Sequence, residues 1–363
     1  MKICYIADAS SIHTQKWVSF FVKRGYEIYI ISSKLFNMEN VFLYQIPKTG
    51  NREIDFAHGI FFVRRVINTI KPDILHAHYV VKYGWWGALT NYHPLILTVW
   101  GSDLLGSLQN FGLAKTLTKF SLKKADLITY DGYHLKQILM TYGCDIKKLK
   151  IIFFGVDIDL FKPQPRSEEL AKSLGIANCP VVISLRNLKP VYGVENLIRS
   201  VPYVLEQIPD TKFLIFGKGE QEWILRKLAR KLGIEKSVRF MGTVPNDLMP
   251  MYLNLADVYV STALSDAGLA ASTAEAMACA LPVVVTEFGD NPYWVKDGEN
   301  GFIVPINDHI ALADRIITLL GDKRLRKKFG ERNRQIITMK NNYYKEMEKM
   351  ESLYKILQER FKK

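Results

Sequence analysis

The sequence predicts an α/β protein with two consecutive Rossmann-like domains, each built on a doubly wound parallel sheet. Short apolar runs alternate with amphipathic stretches along most of the 363 residues, which is typical of strand–helix–strand units. The alternation pauses at 159–172, where Pro163 and Pro165 indicate a linker, and then starts again. The length also fits two domains of about 100–200 residues each.

The first domain, predicted for residues 1–160, opens with a strand, a helix and a second strand. The apolar run Lys2–Ala7 is the first strand, and His13–Lys23 has the spacing of an amphipathic helix. Gly25 ends this helix, and Glu27–Ser32 is the next strand. Further apolar runs that we assign to the same sheet lie at 74–77, 95–99, 127–130 and 150–153.

The second domain, predicted for residues 165–340, repeats the alternation. Its strands are predicted at 181–185, 212–216, 238–240, 258–261, 282–286 and 301–304, and its helices at 194–207, 221–232, 248–255, 272–278 and 309–320. The charged segment 340–363 has helical character, and we expect it to pack back on the first domain. Ligands of open parallel sheets bind at the carboxyl ends of the strands, so we expect the domains to face a ligand-binding cleft.

The charge of the chain favours anionic partners. There are 49 Lys and Arg against 36 Asp and Glu, a net charge of +13, and the first 165 residues carry 20 of the cations against 12 of the acids. A basic surface attracts nucleic acid, anionic lipid or phosphorylated substrates. Because no basic patch is interleaved regularly with aromatic residues, nucleic acid is not an expected partner.

The cysteines and the apolar runs indicate a cytoplasmic protein with no metal site. Four cysteines are present and none forms a C-x-x-C pair, so we expect reduced thiols: Cys4, Cys144, Cys179 and Cys279. The opening apolar run is too short for a signal peptide and is broken by Asp8. No run approaches the roughly 18 apolar residues of a membrane span, so we expect any membrane contact to be peripheral, on the inner face.

The loop after the first strand argues against a dinucleotide-binding oxidoreductase. It runs from Asp8 to His13 and contains no glycine, so the G-x-G-x-x-G fingerprint is missing.

Three loops of the second domain carry residues suited to a phosphorylated ligand. Arg186 and Lys189 follow the strand 181–185 and would donate charge-assisted hydrogen bonds to a diphosphate; the alternative is a solvated loop with two incidental cations. Gly217 stands in the Phe216–Glu220 turn, where a missing side chain lets backbone approach a ligand. Gly242 follows the strand predicted at 238–240, and its backbone would lie against the edge of a nucleotide base. The alternative is an ordinary turn.

The stretch 261–285 combines a glycine-containing loop with a helix that begins near Ala271. Free N–H groups and the helix dipole at Ser272 and Thr273 would favour phosphate. Glu275 lies about one turn further along, where its carboxylate could accept two hydrogen bonds from a ribose diol. The alternative is a glutamate that merely complements the helix dipole.

The order of these motifs resembles glycosyltransferase family 4, whose members have the GT-B fold. The donor-site helix of that family is similar to Ala274–Val283, and its closing motif to Asp297–Pro305. Three more matches lie in the expected order, at Lys2–Gly25, Thr98–Asp103 and Phe154–Pro163. The resemblance covers nearly the whole chain.

The resemblance implies a retaining transfer of sugar from a nucleotide-diphosphate donor, a UDP- or GDP-sugar, without a catalytic metal or other cofactor. Arg186 would hold the phosphates, and Glu275 the ribose hydroxyls. Ser272 and Thr273 would face the phosphates. The residues beside the base would be Gly242 and Val244. The implied acceptor is a glycan or a lipid-linked molecule, in polysaccharide or glycoconjugate synthesis.

Two positions depart from the family pattern. Tyr192 stands before Gly193 where the family has a lysine, and we expect Lys189 to replace that charge. Ala267 stands where the family has the first of two glutamates, and Asp266 is expected to reach the donor sugar instead. The expected catalytic groups are therefore Arg186, Lys189 and Asp266. Two alternatives stay open: a nucleotide-sugar-binding protein without turnover, and a sugar-nucleotide epimerase.

The expected acceptor-side residues are His13, His78 and Asp103, each near a predicted strand end in the first domain. A structural or capping role is the alternative for each. Tyr83, together with the Trp85–Trp86 pair, forms an amphipathic stretch that would contact a membrane interface, with core packing as the alternative.

Overall fold

A computed structural model describes residues 1–105, 112–266 and 268–362, apart from the side chains at positions 52 and 105. The chain divides into two compact units. The first unit comprises residues 1–154 together with 344–363, and the second comprises residues 155–343. Each unit contains one parallel sheet with helices between its strands, which confirms the predicted fold class.

The sheet of the first unit has the strand order β3-β2-β1-β4-β5-β6-β7. These strands are β1 (Lys2–Ile6), β2 (Glu27–Ser32), β3 (Val41–Gln45), β4 (Ile74–His78), β5 (Leu95–Val99), β6 (Leu127–Tyr130) and β7 (Leu149–Ile151). The described helices between them are α1 (Ile12–Lys23), α2 (Arg52–Ile70), α3 (Trp85–Thr90), α4 (Ser102–Leu105), α5 (Gly112–Lys124) and α6 (Tyr133–Thr141). Because the strand order reverses between β1 and β4, the carboxyl ends of these strands are where a ligand is expected.

The aromatic stretch before and within α3 belongs to the core of the first unit. Tyr83 is 8% exposed and Trp86 is 2% exposed. The indole nitrogen of Trp86 donates to the carbonyl oxygen of Phe56 at 3.0 Å, and the Tyr83 hydroxyl lies 3.1 Å from that of Ser33. Of the two interpretations of this stretch, core packing therefore holds for Tyr83 and Trp86, and membrane contact does not, because α2 and α5 both pack against α3.

The sheet of the second unit has the strand order β10-β9-β8-β11-β12-β13. These strands are β8 (Val181–Leu185), β9 (Lys212–Phe216), β10 (Val238–Gly242), β11 (Val258–Ser261), β12 (Val283–Thr286) and β13 (Gly301–Val304). The described helices are α7 (Glu168–Ser173), α8 (Val194–Gln207), α9 (Glu222–Lys231), α10 (Met249–Leu253), α11 (Ala271–Ala278), α12 (Asn291–Trp294), α13 (His309–Gly321) and α14 (Lys323–Lys340). The strand order reverses between β8 and β11, so the loops after these two strands flank the expected ligand position.

Helix α7 begins inside the segment that the sequence suggested was a linker. The Ser167 hydroxyl accepts from the backbone N–H of Leu170 at 3.3 Å, and Glu168 and Glu169 complement the helix dipole in the first turn. The predicted linker 159–172 is therefore too long at its carboxyl end.

The last helix, α15 (Tyr343–Phe361), completes the first unit. Its Tyr354 is fully buried, and the phenol oxygen lies 3.0 Å from the Tyr5 hydroxyl and 2.6 Å from Nδ1 of His76. The indole nitrogen of Trp17 donates to the same oxygen at 3.3 Å. One buried hydroxyl thus joins α15 to α1, β1 and β4.

Among the described residues, no helix combines the length and apolar character that a membrane span requires.

Candidate active site

Arg186 occupies the centre of the site in the second unit, directly after β8. Its side chain is buried, yet it carries a permanent positive charge. Nη2 donates to Oδ1 of Asp266 at 2.7 Å, and Nη1 lies 3.4 Å from Oγ of Ser272. The guanidinium carbon also lies 4.3 Å from the ring centroid of Tyr192. The segment after β8 and the segment from β11 into α11 therefore meet at one cation.

The loop that carries Arg186 is packed tightly against the loop after β9. A Cβ atom at Gly217 would lie 2.5 Å from the Arg186 carbonyl oxygen, closer than real Cβ contacts allow. The backbone N–H of Leu188 also donates to the Lys218 carbonyl oxygen at 3.1 Å. Gly217 therefore fixes the position of the loop that presents Arg186, because a larger residue would push that loop away.

Tyr192 is held in place by the segment that follows β11. The Thr262 hydroxyl donates to the Tyr192 carbonyl oxygen at 3.1 Å, and the Leu264 N–H donates to the Val191 carbonyl oxygen at 2.8 Å. Gly193 adopts a left-handed conformation with φ of 56°, and a Cβ atom there would overlap the Thr262 carbonyl oxygen. The Tyr192 ring is thus attached to a turn with two backbone anchors.

For each of the two charged groups, Asp266 and Arg186, burial and the ion pair shift the pKa in opposite directions. Burial raises the pKa of Asp266, and the nearby Arg186 guanidinium offsets only part of that rise. Burial acts most strongly on Arg186 and lowers its pKa, but Asp266, together with Tyr259 and Tyr192, outweighs burial and raises the pKa of the guanidinium. The two groups form a buried ion pair at 2.7 Å, in which the aspartate is the partner that burial favours in its neutral form.

The start of α11 is braced from the strand before it. No side chain caps this helix at Ala270, so its first N–H groups are not satisfied by a capping side chain. The Tyr259 hydroxyl lies 2.9 Å from that of Ser272 and accepts from the Thr273 hydroxyl at 3.3 Å. Sequence reasoning missed Tyr259. Its signal was a tyrosine inside the apolar run of β11, where a buried hydroxyl requires a partner.

Glu275 lies on the second turn of α11 and is 9% exposed. A glutamate that only complements a helix dipole usually stands in solvent, whereas fully buried carboxylates are rare and require partners. Burial, with a contribution from Glu275, raises the pKa of the Cys279 thiol one turn later to about 12. Glu275 is therefore an interior carboxylate and does not complement the helix dipole from solvent.

The remaining predicted donor residues lie along the ends of β9 and β10 and in the loop after β8. The Gly242 carbonyl oxygen accepts from the Gly217 N–H at 2.7 Å, so these two glycines are neighbours. Val244 is half-buried two residues further on. Lys189 is exposed, and its side chain makes no hydrogen bond or ion pair with the residues that the structure describes. Ala267, the second departure from the family pattern, lies outside the described residues.

The first unit brings His13 and His78 together around Trp100. The His13 ring stacks on Trp100 with centroids 5.2 Å apart and meets Phe154 edge-on at 4.2 Å. The His78 ring meets Trp100 edge-on at 5.6 Å. Burial lowers the pKa of His13 to about 4 and that of His78 to about 3, so both rings are neutral at pH 7. Within the described part of the chain, Nδ1 of His13 and both ring nitrogens of His78 are buried without a hydrogen-bond partner.

Asp103 has a different environment from the two histidines. Its Oδ1 accepts from the Gly101 N–H at 2.9 Å, and its Oδ2 accepts from the Val80 N–H at 2.8 Å. Burial raises its pKa to about 6, and these backbone donors limit the rise. Asp103 joins the loops after β4 and β5, so its contacts favour the structural interpretation over direct contact with an acceptor.

Two family descriptions match the chain, one for each half. The family described as "Glycosyl transferase 4-like" matches residues 2–131, and "Glycosyl transferases group 1" matches residues 166–336. The second match contains Arg186, Asp266 and Glu275. The chain therefore belongs to the family 4 glycosyltransferases, which have the GT-B fold.

Two relatives and one solved structure illustrate what the chain is similar to. The chain is 30% identical over 219 residues to a GDP-mannose-dependent α-(1-6)-phosphatidylinositol monomannoside mannosyltransferase of Mycolicibacterium smegmatis, a match that spans 58% of this chain and 57% of that protein. It is 25% identical over 355 residues to the N-acetyl-α-D-glucosaminyl L-malate synthase of Bacillus anthracis, which covers 92% and 90% of the two chains. The crystal structure of Anabaena HepE in complex with UDP shares the fold, with a TM-score of 0.83, 20% identity and coverage of 98% and 100%.

Proposed function

We propose that the protein is a retaining, metal-independent glycosyltransferase that moves a sugar from a UDP- or GDP-sugar to a glycan or lipid-linked acceptor. The observation that carries the proposal is a buried arginine beside the uncapped start of α11, at the carboxyl ends of β8 and β11. A buried cation next to free helix N–H groups is suited to a diphosphate. We place the reaction in the synthesis of a cell-surface polysaccharide or glycoconjugate.

The donor diphosphate would be bound by Arg186 and by the first N–H groups of α11, with the Ser272 and Thr273 hydroxyls beside them. When the bond from the anomeric carbon to the diphosphate breaks, negative charge develops on the leaving oxygen. Arg186 and the helix N-terminus stabilise that charge, which is worth about 2.7–4 kcal/mol for one well-placed donor in comparable sites. Glu275 would accept hydrogen bonds from the ribose diol.

The similar proteins support the donor class. The mycobacterial relative is GDP-mannose-dependent, and the fold is shared with a protein crystallised with UDP. The choice between uridine and guanosine would depend on the loop around Gly242 and Val244, where the base is proposed to lie.

The acceptor would lie against the first unit, at His13 and His78. A neutral imidazole can both donate and accept, so unpartnered ring nitrogens are suited to bind sugar or polyol hydroxyls. The half-exposed Trp100 and Phe154 rings supply an apolar face beside them.

We also propose a cytoplasmic location with peripheral contact to an anionic membrane. Helix α5 supports this, because Lys115, Lys119 and Lys123 are exposed at intervals of four residues and the helix contains no acidic residue. Anionic liposomes at low salt should retain the purified protein, and neutral liposomes should not. Equal partitioning with both would refute the membrane contact.

A second candidate is a protein that binds nucleotide sugar without turning it over. Tyr192, in the position where a second cation is expected, favours this alternative. An epimerase on the same fold is the third. Product analysis separates them, since it would show transfer to an acceptor, an unchanged donor or an isomerised donor.

The first experiment is a thermal-shift screen against UDP, GDP, ADP and their common sugar conjugates. Ligand at about 100 times its Kd should stabilise the folded protein by roughly 2.7 kcal/mol. A shift with one nucleotide identifies the base and selects the donor for product analysis. If no nucleotide or nucleotide sugar raises the melting temperature, the proposed donor site is refuted.

A further inference from the structure

The contacts of Arg186 differ in kind. Asp266 is an anion at 2.7 Å, Ser272 is a neutral hydroxyl at 3.4 Å, and Tyr192 offers the face of an aromatic ring at 4.3 Å. Nε of Arg186 is buried without a hydrogen-bond partner in the described part of the chain. The guanidinium thus retains an unused N–H group while one of its edges is occupied by a carboxylate.

An arriving diphosphate affects these contacts unequally. Asp266 and a phosphate both carry negative charge and both bind through the guanidinium edge, so they compete for it. The Tyr192 ring presents its own face to the guanidinium, whose carbon lies 4.3 Å from the ring centroid, and the ring carries no net charge. The Tyr192 ring can therefore stay in contact with the guanidinium while a phosphate binds at its edge. The hydrogen bonds from Thr262 and Leu264 hold the turn that carries the ring in place.

We propose that Asp266 and Tyr192 hold Arg186 in two different ways. Asp266 neutralises the guanidinium when no donor is bound and is displaced from it by the donor diphosphate. Tyr192 is a positioning residue, because its ring holds the guanidinium in place both before and after the exchange. This inference rests on the proposed function, since it assumes that a nucleoside diphosphate is the anion.

The inference gives Tyr192 a role that a lysine at the same position would not have. A lysine would add a second cation for the phosphates and would repel the guanidinium. The tyrosine adds no charge, so the site keeps one cation and depends on its orientation. The net charge of the Arg186–Asp266 pair is zero until an anion replaces the carboxylate.

The test is isothermal titration calorimetry with UDP or GDP, whichever stabilises the wild-type protein. Tyr192→Phe keeps the ring face and should bind within about twofold of wild type, whereas Tyr192→Leu should bind about tenfold more weakly. Asp266→Asn removes the competing charge and should bind the nucleoside diphosphate about tenfold more tightly. Thermal unfolding of each variant shows whether it is folded.

The double variants connect these effects to Arg186. In an Arg186→Gln background, Tyr192→Leu should cause no further loss of affinity, because the ring has no guanidinium to hold. A full additional loss in that background would show that the ring contacts the nucleotide itself, and would overturn the inference.

The other outcomes separate the inference from the proposed function. If the wild-type protein binds neither UDP nor GDP, the proposed function fails, and the inference fails with it. If wild type binds and Arg186→Gln weakens binding, but Tyr192→Leu behaves as wild type, only the positioning role fails. If Asp266→Asn binds no more tightly than wild type, the displacement of Asp266 is refuted.

Discussion

The hydroxyl of Tyr259 on strand β11 lies 2.9 Å from the hydroxyl of Ser272 on helix α11. Ser272 in turn lies 3.4 Å from Nη1 of Arg186. Tyr259 is fully buried, and burial raises its pKa, so it acts as a neutral hydrogen-bonding group. The buried hydroxyl of Tyr259 therefore orients the Ser272 and Thr273 hydroxyls at the start of α11.

Tyr259→Phe should lower the free energy of unfolding by about 1–2 kcal/mol, because two hydroxyls lose a buried partner. It should also weaken nucleotide binding several-fold, since Ser272 and Thr273 lose their orientation. Chemical denaturation and calorimetry measure the two effects. Tyr203→Phe, at a half-exposed position on α8, is the control. If Tyr259→Phe loses stability but binds nucleotide as tightly as wild type, Tyr259 supports the fold alone.

Arg186→Gln should reduce stability and activity together, for separable reasons. The variant leaves Asp266 buried without its cation, which should cost about 3–5 kcal/mol of unfolding free energy. It should also lower the turnover of donor by about 10²–10³-fold, because transition-state charge loses its stabilising donor. Adding Asp266→Asn should restore most of the stability and none of the Arg186-dependent rate. Recovery of both in the double variant would show that Arg186 serves only the fold.

Glu275→Gln should weaken nucleotide binding about 10-fold or more, because hydrogen bonds to a charged group are worth about 1.5–3 kcal/mol. The ribose assignment makes a sharper prediction with 2′-deoxy nucleotides. Wild type should prefer the ribonucleotide, and the variant should show little preference. Glu168→Gln, at an exposed position on α7, should leave both affinities unchanged. An equal preference in wild type and Glu275→Gln would rule out a ribose contact.

The buried histidines should lower the stability of the protein as the pH falls below about 6.5, while Asp103, whose pKa burial raises to about 6, contributes in the opposite direction. His78 has a folded-state pKa of about 3, whereas the unfolded chain takes up a proton near the ordinary value of 6.5. The unfolded state therefore binds more protons between these values, and each such histidine lowers the unfolding free energy by about 1.4 kcal/mol per pH unit. His13, with a folded-state pKa of about 4, contributes in the same direction.

His78→Phe should reduce this slope by about 1.4 kcal/mol per pH unit between pH 4.5 and 6. Denaturant unfolding at several pH values measures it. His58→Gln, at an exposed position on α2, is the control and should keep the wild-type slope. An unchanged slope in His78→Phe would mean that His78 is protonated in the folded protein.

Local patterns predicted the strands that position the site. β8, β9 and β11 have the predicted bounds, because each is a short apolar run bounded by polar or turn residues. Strand β3 was missed, since it is a half-buried edge strand without a continuous apolar run. Helix α7 was missed because two nearby prolines concealed the Ser167 cap.

The contacts of the site were harder to predict than its elements. Arg186 was placed correctly after β8, but its pairing with Asp266 joins residues 80 positions apart in the chain. Sequence spacing gives no information about which carboxylate a buried cation will meet. The contact between Tyr192 and Arg186 was equally hard to predict. It depends on hydrogen bonds from Thr262 and Leu264, which are distant in the sequence. The burial of Tyr83 and Trp86 could not be predicted from the sequence for another reason. An amphipathic pattern fits both a membrane surface and a protein core.

The placement of α15 affects the order in which the protein can fold during synthesis. The first unit emerges from the ribosome first, but Tyr5, Trp17 and His76 meet Tyr354 only after the whole second unit has been translated. At about 5–20 residues per second, that interval lasts roughly 10–40 s. The second unit is contiguous and can close while the first still exposes the surface that α15 will cover. We therefore expect the nascent first unit to be the part of the chain most dependent on chaperones.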